Sequence, residues 1–266
     1  MIKKRFSPES GAVGVDKSKK SKKSKKIERE ADYLDLDNLD LDRAYTFNEF
    51  EIINDQLKNR SLKIELDNSS EPVPVNHFQL NKSGKLVPMP QSPITKELAV
   101  MEIARQLGNW NIQTNQNGAV TCSQGGFKIE TGEIVAPDAA FTPKDTYRNL
   151  TDQQCISFQG SPFSPTFVVE VENINDIGNS KGKKLDSKFK DTYFASNTSV
   201  KLGWLIDPMN KKIWVYKRNP DNNKVVRRQH QWRDLDGGDT LPGFKLEVWE
   251  IQEARSQVSG CSFYAI

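Results

Sequence analysis

Two histidines, His77 and His230, and three cysteines, Cys122, Cys155 and Cys261, are all that 266 residues offer for a histidine- or thiol-based centre. The histidines stand in polar surroundings without a partner motif, which argues against serine-type triads and HExxH-type zinc sites. The cysteines are odd in number and far apart, which argues against a disulfide framework or a CxxC metal site, so a reducing, intracellular compartment is expected. No apolar run approaches the roughly 18 residues that a membrane span needs. The basic start MIKKRF leads into polar residues, unlike a secretory signal. Any catalysis has to rest on carboxylates, lysines and a hard metal ion.

What the chain has in abundance is charge, unevenly spread. Residues 1–26 hold ten basic and two acidic residues, net +8, concentrated in KSKKSKKSKK. Residues 27–43 hold seven acids and two arginines, net −5, so with +3 overall the remainder balances at zero. With so little apolar surface, residues 1–43 read as a disordered tail, Lys-rich and then acidic. Lys19, Lys20, Lys22, Lys23, Lys25 and Lys26 are candidate nucleic-acid contacts or a nuclear address in a eukaryotic host; a plain solvated tail fits as well.

Folded structure is expected over 44–251, with 252–266 as a C-terminal tail. Thr46 is a suitable N-cap for the helix FNEFEIINDQL. HFQLNKSGKLVPMP reads as a hairpin turning at Ser83-Gly84. Ser92-Pro93 opens a helix ITKELAVMEIARQL that ends at Gly108, with Ile94, Leu98, Met101 and Leu107 on its apolar side. From residue 110 the pattern predicts short strands: WNIQTNQNGAV, FKIETGEIV, DAAF, TFVVEVE, GWLID and KIWVYKR. One helix, KGKKLDSKFKDTYFAS, lies among them, with Leu185, Phe189 and Tyr193 every four residues. The order indicates an α/β (α+β) fold with a central mixed sheet flanked by helices.

Two runs carry unexpected acids. In APDAAF, Asp138 is the one acid of its stretch. In TFVVEVEN, Glu170 and Glu172 interrupt an apolar strand, and alternation puts both on one face with Val169 and Val171 on the other. Side-by-side carboxylates on a buried strand are costly unless cations or hydrogen bonds compensate them. Asp138 as a turn acid capping an N–H, and Glu170 as the ion-pair partner of a lysine, are the plain structural alternatives.

Taken in order, LNKSGKLVPMPQSP, GGFKIETGEIVAPDAAFTPKD, SPTFVVEVENIND, GWLIDPMNKKIWVYKR and TLPGFKLEVWEI resemble the PD-(D/E)XK nuclease superfamily, and within it the Uma2 restriction endonuclease family, over about residues 46–251. The resemblance implies a restriction-endonuclease-like core and a Mg2+ (or Mn2+) ion held by Asp138 and Glu170, with the carbonyl of residue 171 nearby. It also implies hydrolysis of a DNA phosphodiester. In such sites the first helix often adds an acid, for which Glu97 or Glu102 qualifies, with only one able to face the site.

The position two past the acid is often lysine in the superfamily; here it is Glu172. A second metal, a poor substitute for the lysine, or an ion-pair partner are its open roles. A lysine from the following helix is the natural replacement. Lys181, Lys184 and Lys188 recur along one side, and Lys188, beside Phe189, is the first choice, with Lys184 next. The expected partner is DNA, with no membrane and a homodimer left open. A nuclease fold that has lost catalysis and serves as a binding or interaction module is the competing reading, favoured by the neutral body. A two-carboxylate glycosidase explains neither the PD hairpin nor the lysine helix.

Overall fold

Thr46 starts the first helix through a capping box: its hydroxyl accepts from Glu49 N–H while the Glu49 carboxylate accepts from Thr46 N–H. That helix, α1 (Phe47–Leu57), opens the fold in a computed structural model that describes residues 34–58, 60–65, 71–219 and 222–256. Strands β1 (Leu62–Ile64), β2 (Val73–Leu80) and β3 (Leu86–Pro90) follow, then α2 (Ile94–Gln113). Strands β4 (Ala119–Cys122), β5 (Phe127–Lys128), β6 (Ile134–Val135) and β7 (Ala139–Thr142) come next. Two short helices, α3 (Lys144–Tyr147) and α4 (Asp152–Ile156), lead into β8 (Phe167–Val171). Helix α5 (Ser180–Ser187) runs on into a π-helical segment, Lys188–Tyr193. Strands β9 (Leu202–Asp207), β10 (Lys212–Arg218), β11 (Val225–His230), β12 (Leu235–Asp236) and β13 (Lys245–Leu246) and helix α6 (Val248–Ser256) complete the order.

The main sheet has six strands in the order β11-β10-β9-β8-β7-β4; β8 and β9 are parallel and the other neighbours antiparallel, so it is a mixed sheet flanked by helices, as the sequence indicates. Alternation along β8 divides the core. Phe167, Val169 and Val171 join Trp204 and Ile206 under α2 and α6, while Val168 joins Leu205, Trp214 and Phe189 under the π segment. The second sheet, β1-β2-β6-β5 with β3 on β2, packs against α1 around Phe50, Ile53 and Leu57. The predicted hairpin is β2–β3, and its turn needs Gly84, whose φ of 74° is a region that disfavours residues with a Cβ.

Several expectations change, and of the predicted strand WNIQTNQNGAV only the end is extended, in β4 from Ala119, its first residues being helical. Helix α2 does not stop at Gly108 but continues to Gln113. Trp110 explains this: its indole N–H donates to Pro242 O at 3.0 Å, and its ring packs edge-on to Phe141 at 5.1 Å. Such burial outweighs the roughly 1 kcal/mol that a helical glycine costs. The buried side of α2 is Ala99, Val100, Ile103, Leu107 and Trp110, leaving Ile94 and Met101 exposed.

Residues 34–43 are not part of a structureless tail. Leu36 is buried in a short 3-10 turn capped by Asp35, and Leu34, Leu39 and Leu41 pack on the α1 cluster. The Gln56 amide bonds both Leu34 N–H (3.3 Å) and Leu34 C=O (3.1 Å). The leucines of YLDLDNLDLD have no core of their own; a surface supplied by α1 gives them one. At the other end, α6 extends past residue 251 to Ser256. The basic cluster with Lys19, Lys20, Lys22, Lys23, Lys25 and Lys26 lies outside the described residues. Among the described residues, Cys122 and Cys155 are free thiols, and no helix is long and apolar enough to cross a membrane.

Candidate functional site

Pro137 and Asp138 occupy the step where the chain leaves the second sheet at β6 and enters the main sheet at β7. Gln79, itself buried, steadies that step by donating to Ala136 O at 3.3 Å. The antiparallel register that pairs Ala139 with Val169 carries Asp138 opposite Glu170. Both acids are buried, at 7% exposure each, at one end of the sheet. Asp138 Oδ2 accepts the Val171 N–H at 2.7 Å, which ties the two strands together through the acid itself.

Glu170 is held from the helical side. Lys188 Nζ donates to Glu170 Oε1 at 2.8 Å, and the buried Tyr193 hydroxyl donates to the same oxygen. These residues are five apart, which in an α-helix would point them about 140° from each other. The chain is π-helical over 188–193, and i to i+5 spacing brings the two into line. Phe189 anchors the segment, stacked on Tyr216 at 4.2 Å and pressed against Gly203, where a Cβ would lie 2.6 Å from its ring.

Glu172 follows the end of β8, its N–H donating to Ile206 O at 2.9 Å. Its carboxylate pairs with Lys181 at 2.8 Å and Lys96 at 3.7 Å, and Lys96 also reaches Asp138 at 3.3 Å. Three carboxylates thus meet three ammonium groups. The loop beyond Glu172 is fixed by Asp207, wholly buried at the end of β9, whose Oδ2 accepts from the N–H groups of Ile174 (3.1 Å) and Asn175 (2.9 Å).

Burial pushes the Asp138 carboxyl up to about 6, and the neighbouring Glu170 charge adds to the rise against the opposing pull of Lys96, the Val171 N–H and Lys188. Lys96 is raised: burial works against its charge, but the attraction of Asp138, Glu172 and Glu170 wins. Tyr193 is held well above its ordinary value, first by burial and then by the Glu170 charge, so it stays a neutral donor.

Of the residues singled out from sequence, the fold brings together Asp138, Glu170, Glu172 and Lys188. It does not bring Lys184, which is exposed on α5 while Lys181 and Lys188 turn to the carboxylates. Glu97 is exposed, and Glu102 is turned to Arg105 (2.6 Å) and Gln106 (2.8 Å) beside α6. Helix α2 therefore sends a cation, Lys96, where an acid was expected. Lys96 and the polar role of Tyr193 were missed. The signal for Tyr193 was its place five residues after Lys188, which α-helical spacing discounts.

The donor set suits a hard divalent ion that keeps several of its waters. Among the described residues there is no cluster of three or more His, Cys, Asp or Glu side chains placed as ligands. Asp138 and Glu170 do face each other, and the contacts above use Asp138 Oδ2 and Glu170 Oε1, leaving one oxygen of each carboxylate for another partner. A cation between them would offset the repulsion that raises Asp138.

Comparison with known proteins gives three findings. The family model Uma2, described as "Putative restriction endonuclease", matches residues 59–249. No curated protein matches the chain. A crystal structure of a putative nuclease belonging to DUF820 from Anabaena variabilis is similar at 12% identity with a TM-score of 0.49, over 67% of this chain and 91% of that one.

Proposed function

Because the chain belongs to the Uma2 family, we propose that it is a metal-dependent endonuclease that hydrolyses phosphodiester bonds in DNA. The observation that carries the reading is the buried pair Asp138 and Glu170, in register across two strands, with Lys188 held on Glu170 by a 2.8 Å ion pair. Asp138 and Glu170 are the residues that would hold a divalent ion. Such an ion, when bound, polarises a phosphodiester and lowers the pKa of water.

The chain's own groups have distinct tasks in this reading. Tyr193 and Lys188 both donate to Glu170 Oε1, fixing the carboxylate's rotation. Lys188 Nζ has three N–H bonds and directs one to Glu170, so the others can meet a phosphate oxygen where negative charge develops. Lys96 balances Asp138 and Glu172 together, and Lys181 occupies the other oxygen of Glu172. Glu172 in this reading is an ion-pair partner and not a ligand.

Plasmid and linear DNA incubated with Mg2+, and separately with EDTA, test the proposal. Cleavage that needs the metal and disappears in Asp138→Asn supports it; a parent protein that never cleaves either substrate refutes it. One observation favours a second reading, a nuclease fold that binds without cutting: three lysines already neutralise the three acids. Under that reading DNA binding persists in EDTA and no cleavage occurs in any divalent metal.

A further inference from the structure

Far from the acid pair, a cavity of about 780 Å³ opens beside β10 and β11. The register sets Val215 opposite Arg228 and Lys217 opposite Val226, so these four side chains form a two-by-two patch on one face. Val215 belongs to the core under α2 and α6, whereas Glu170 pairs with Leu205 of the other core. The cavity therefore lies on the opposite face from Glu170 and two to three strands away, roughly 10–14 Å at the usual strand spacing.

Its walls are cationic and its floor apolar. Lys217, Arg228 and Arg233 are exposed around it, and Val215, Val226 and Leu235 form the base. Among the described residues, Arg218, which also lines the cavity, donates to Phe194 O and Ala195 O, Arg227 pairs with Asp186 and Lys245 with Asp234, whereas Lys217, Arg228 and Arg233 have no ion pair. The acids at the rim are engaged: Asp234 by Lys245 at 2.8 Å, and Asp236 by the Gly238 N–H at 2.7 Å. His230 also lines the cavity, and its imidazole is pushed down, by burial first and then by the charges of Arg233, Lys217 and Arg228. An adjoining hollow of about 410 Å³ shares Arg233 and Asp234 and is lined by Trp232, whose buried indole N–H has no acceptor.

We propose that this cavity binds a nucleotide unit, its phosphate held by Lys217, Arg228 and Arg233 and its ring or sugar resting on Val215, Val226 and Leu235. A phosphate suits clustered guanidinium groups, which bond two oxygens at once. An apolar floor beside those charges distinguishes the site from one for bare phosphate. The unit can come from a free mononucleotide or from a nucleic-acid strand. The proposal goes beyond the nuclease reading and stands without it.

The test is equilibrium binding to the full chain in EDTA, with a 5′-mononucleotide in one arm and a short single-stranded DNA in the other. The parent is compared with the Arg228→Gln/Arg233→Gln double variant and with Lys217→Gln, each checked by thermal melting. A loss of about tenfold or more in the double variant is expected, two charge-assisted contacts having been removed. If the strand is the source, its salt slope also falls by about 0.7 per lost contact. Loss in the mononucleotide arm identifies a free nucleotide, and loss in the strand arm alone identifies nucleic acid. Variants that bind both probes like the parent, or a parent that binds neither, overturn the proposal. If the double variant melts early, Lys217→Gln decides alone. Because no metal or turnover is involved, the outcome does not depend on whether the acid pair cleaves DNA.

Discussion

Asp138 should make the metal-free protein lose stability as pH rises from about 4 to 6. Its carboxyl is raised to about 6 in the fold, from an ordinary value of 3.8. The folded state therefore holds a proton that the unfolded chain has already released, and linkage gives a stabilising contribution at low pH that fades through the folded pKa. At about 1.4 kcal/mol per unit, the whole effect is on the order of 3 kcal/mol. Asp138 is only 7% exposed, so solvent screening takes little from this. Asp138→Asn keeps the side-chain shape and the acceptor for the Val171 N–H but does not titrate. Denaturant unfolding of parent and variant in EDTA, at half-unit steps from pH 4 to 7.5, isolates the effect as the difference between the two proteins. That difference should shift in favour of the variant by roughly 2–3 kcal/mol between pH 4 and 7 and then level off. A difference that stays constant across the range refutes the reasoning: Asp138 would then not be a buried acid destabilised by its own charge.

Lys188→Ala should lower cleavage by a factor of about 10² or more while leaving metal binding in place, read from single-turnover rates and calorimetry. Tyr193→Phe removes one charge-assisted hydrogen bond to Glu170 in an otherwise unchanged ring environment, for a loss of about 1.5–3 kcal/mol in denaturant unfolding. Gly203→Ala places a Cβ 2.6 Å from the Phe189 ring, so it should cost about 1–3 kcal/mol. It should also reduce cleavage, because Phe189 anchors the segment that carries Lys188.

Much of the fold was legible because its signals are local. The Thr46 cap, the Gly84 turn and the strands at 139–142, 167–171, 202–207 and 212–218 each follow from a few adjacent residues. Where the reading went astray, a distant surface had decided the outcome. Trp110 keeps α2 helical past Gly108 because Phe141 and Pro242 receive it, and Leu36 is ordered because α1 and its sheet cover it.

The acid pair divides in the same way. The sequence by itself determined that Asp138 and Glu170 sit in strand-forming runs where a carboxylate is costly, and that Glu172 shares a face with Glu170, because alternation along a strand is a property of neighbours. Only the tertiary structure decided which cations answer them. The antiparallel register placed Asp138 against Glu170, the N-terminal turn of α2 delivered Lys96 in place of an acid, and the π-helical stretch aligned Lys188 with Tyr193. That stretch departs from α-helical spacing where Phe189 packs against Gly203 and Tyr216, contacts 14 and 27 residues away along the chain. A helix's local pattern carries no information about a surface that forms only when the strands beneath it are assembled.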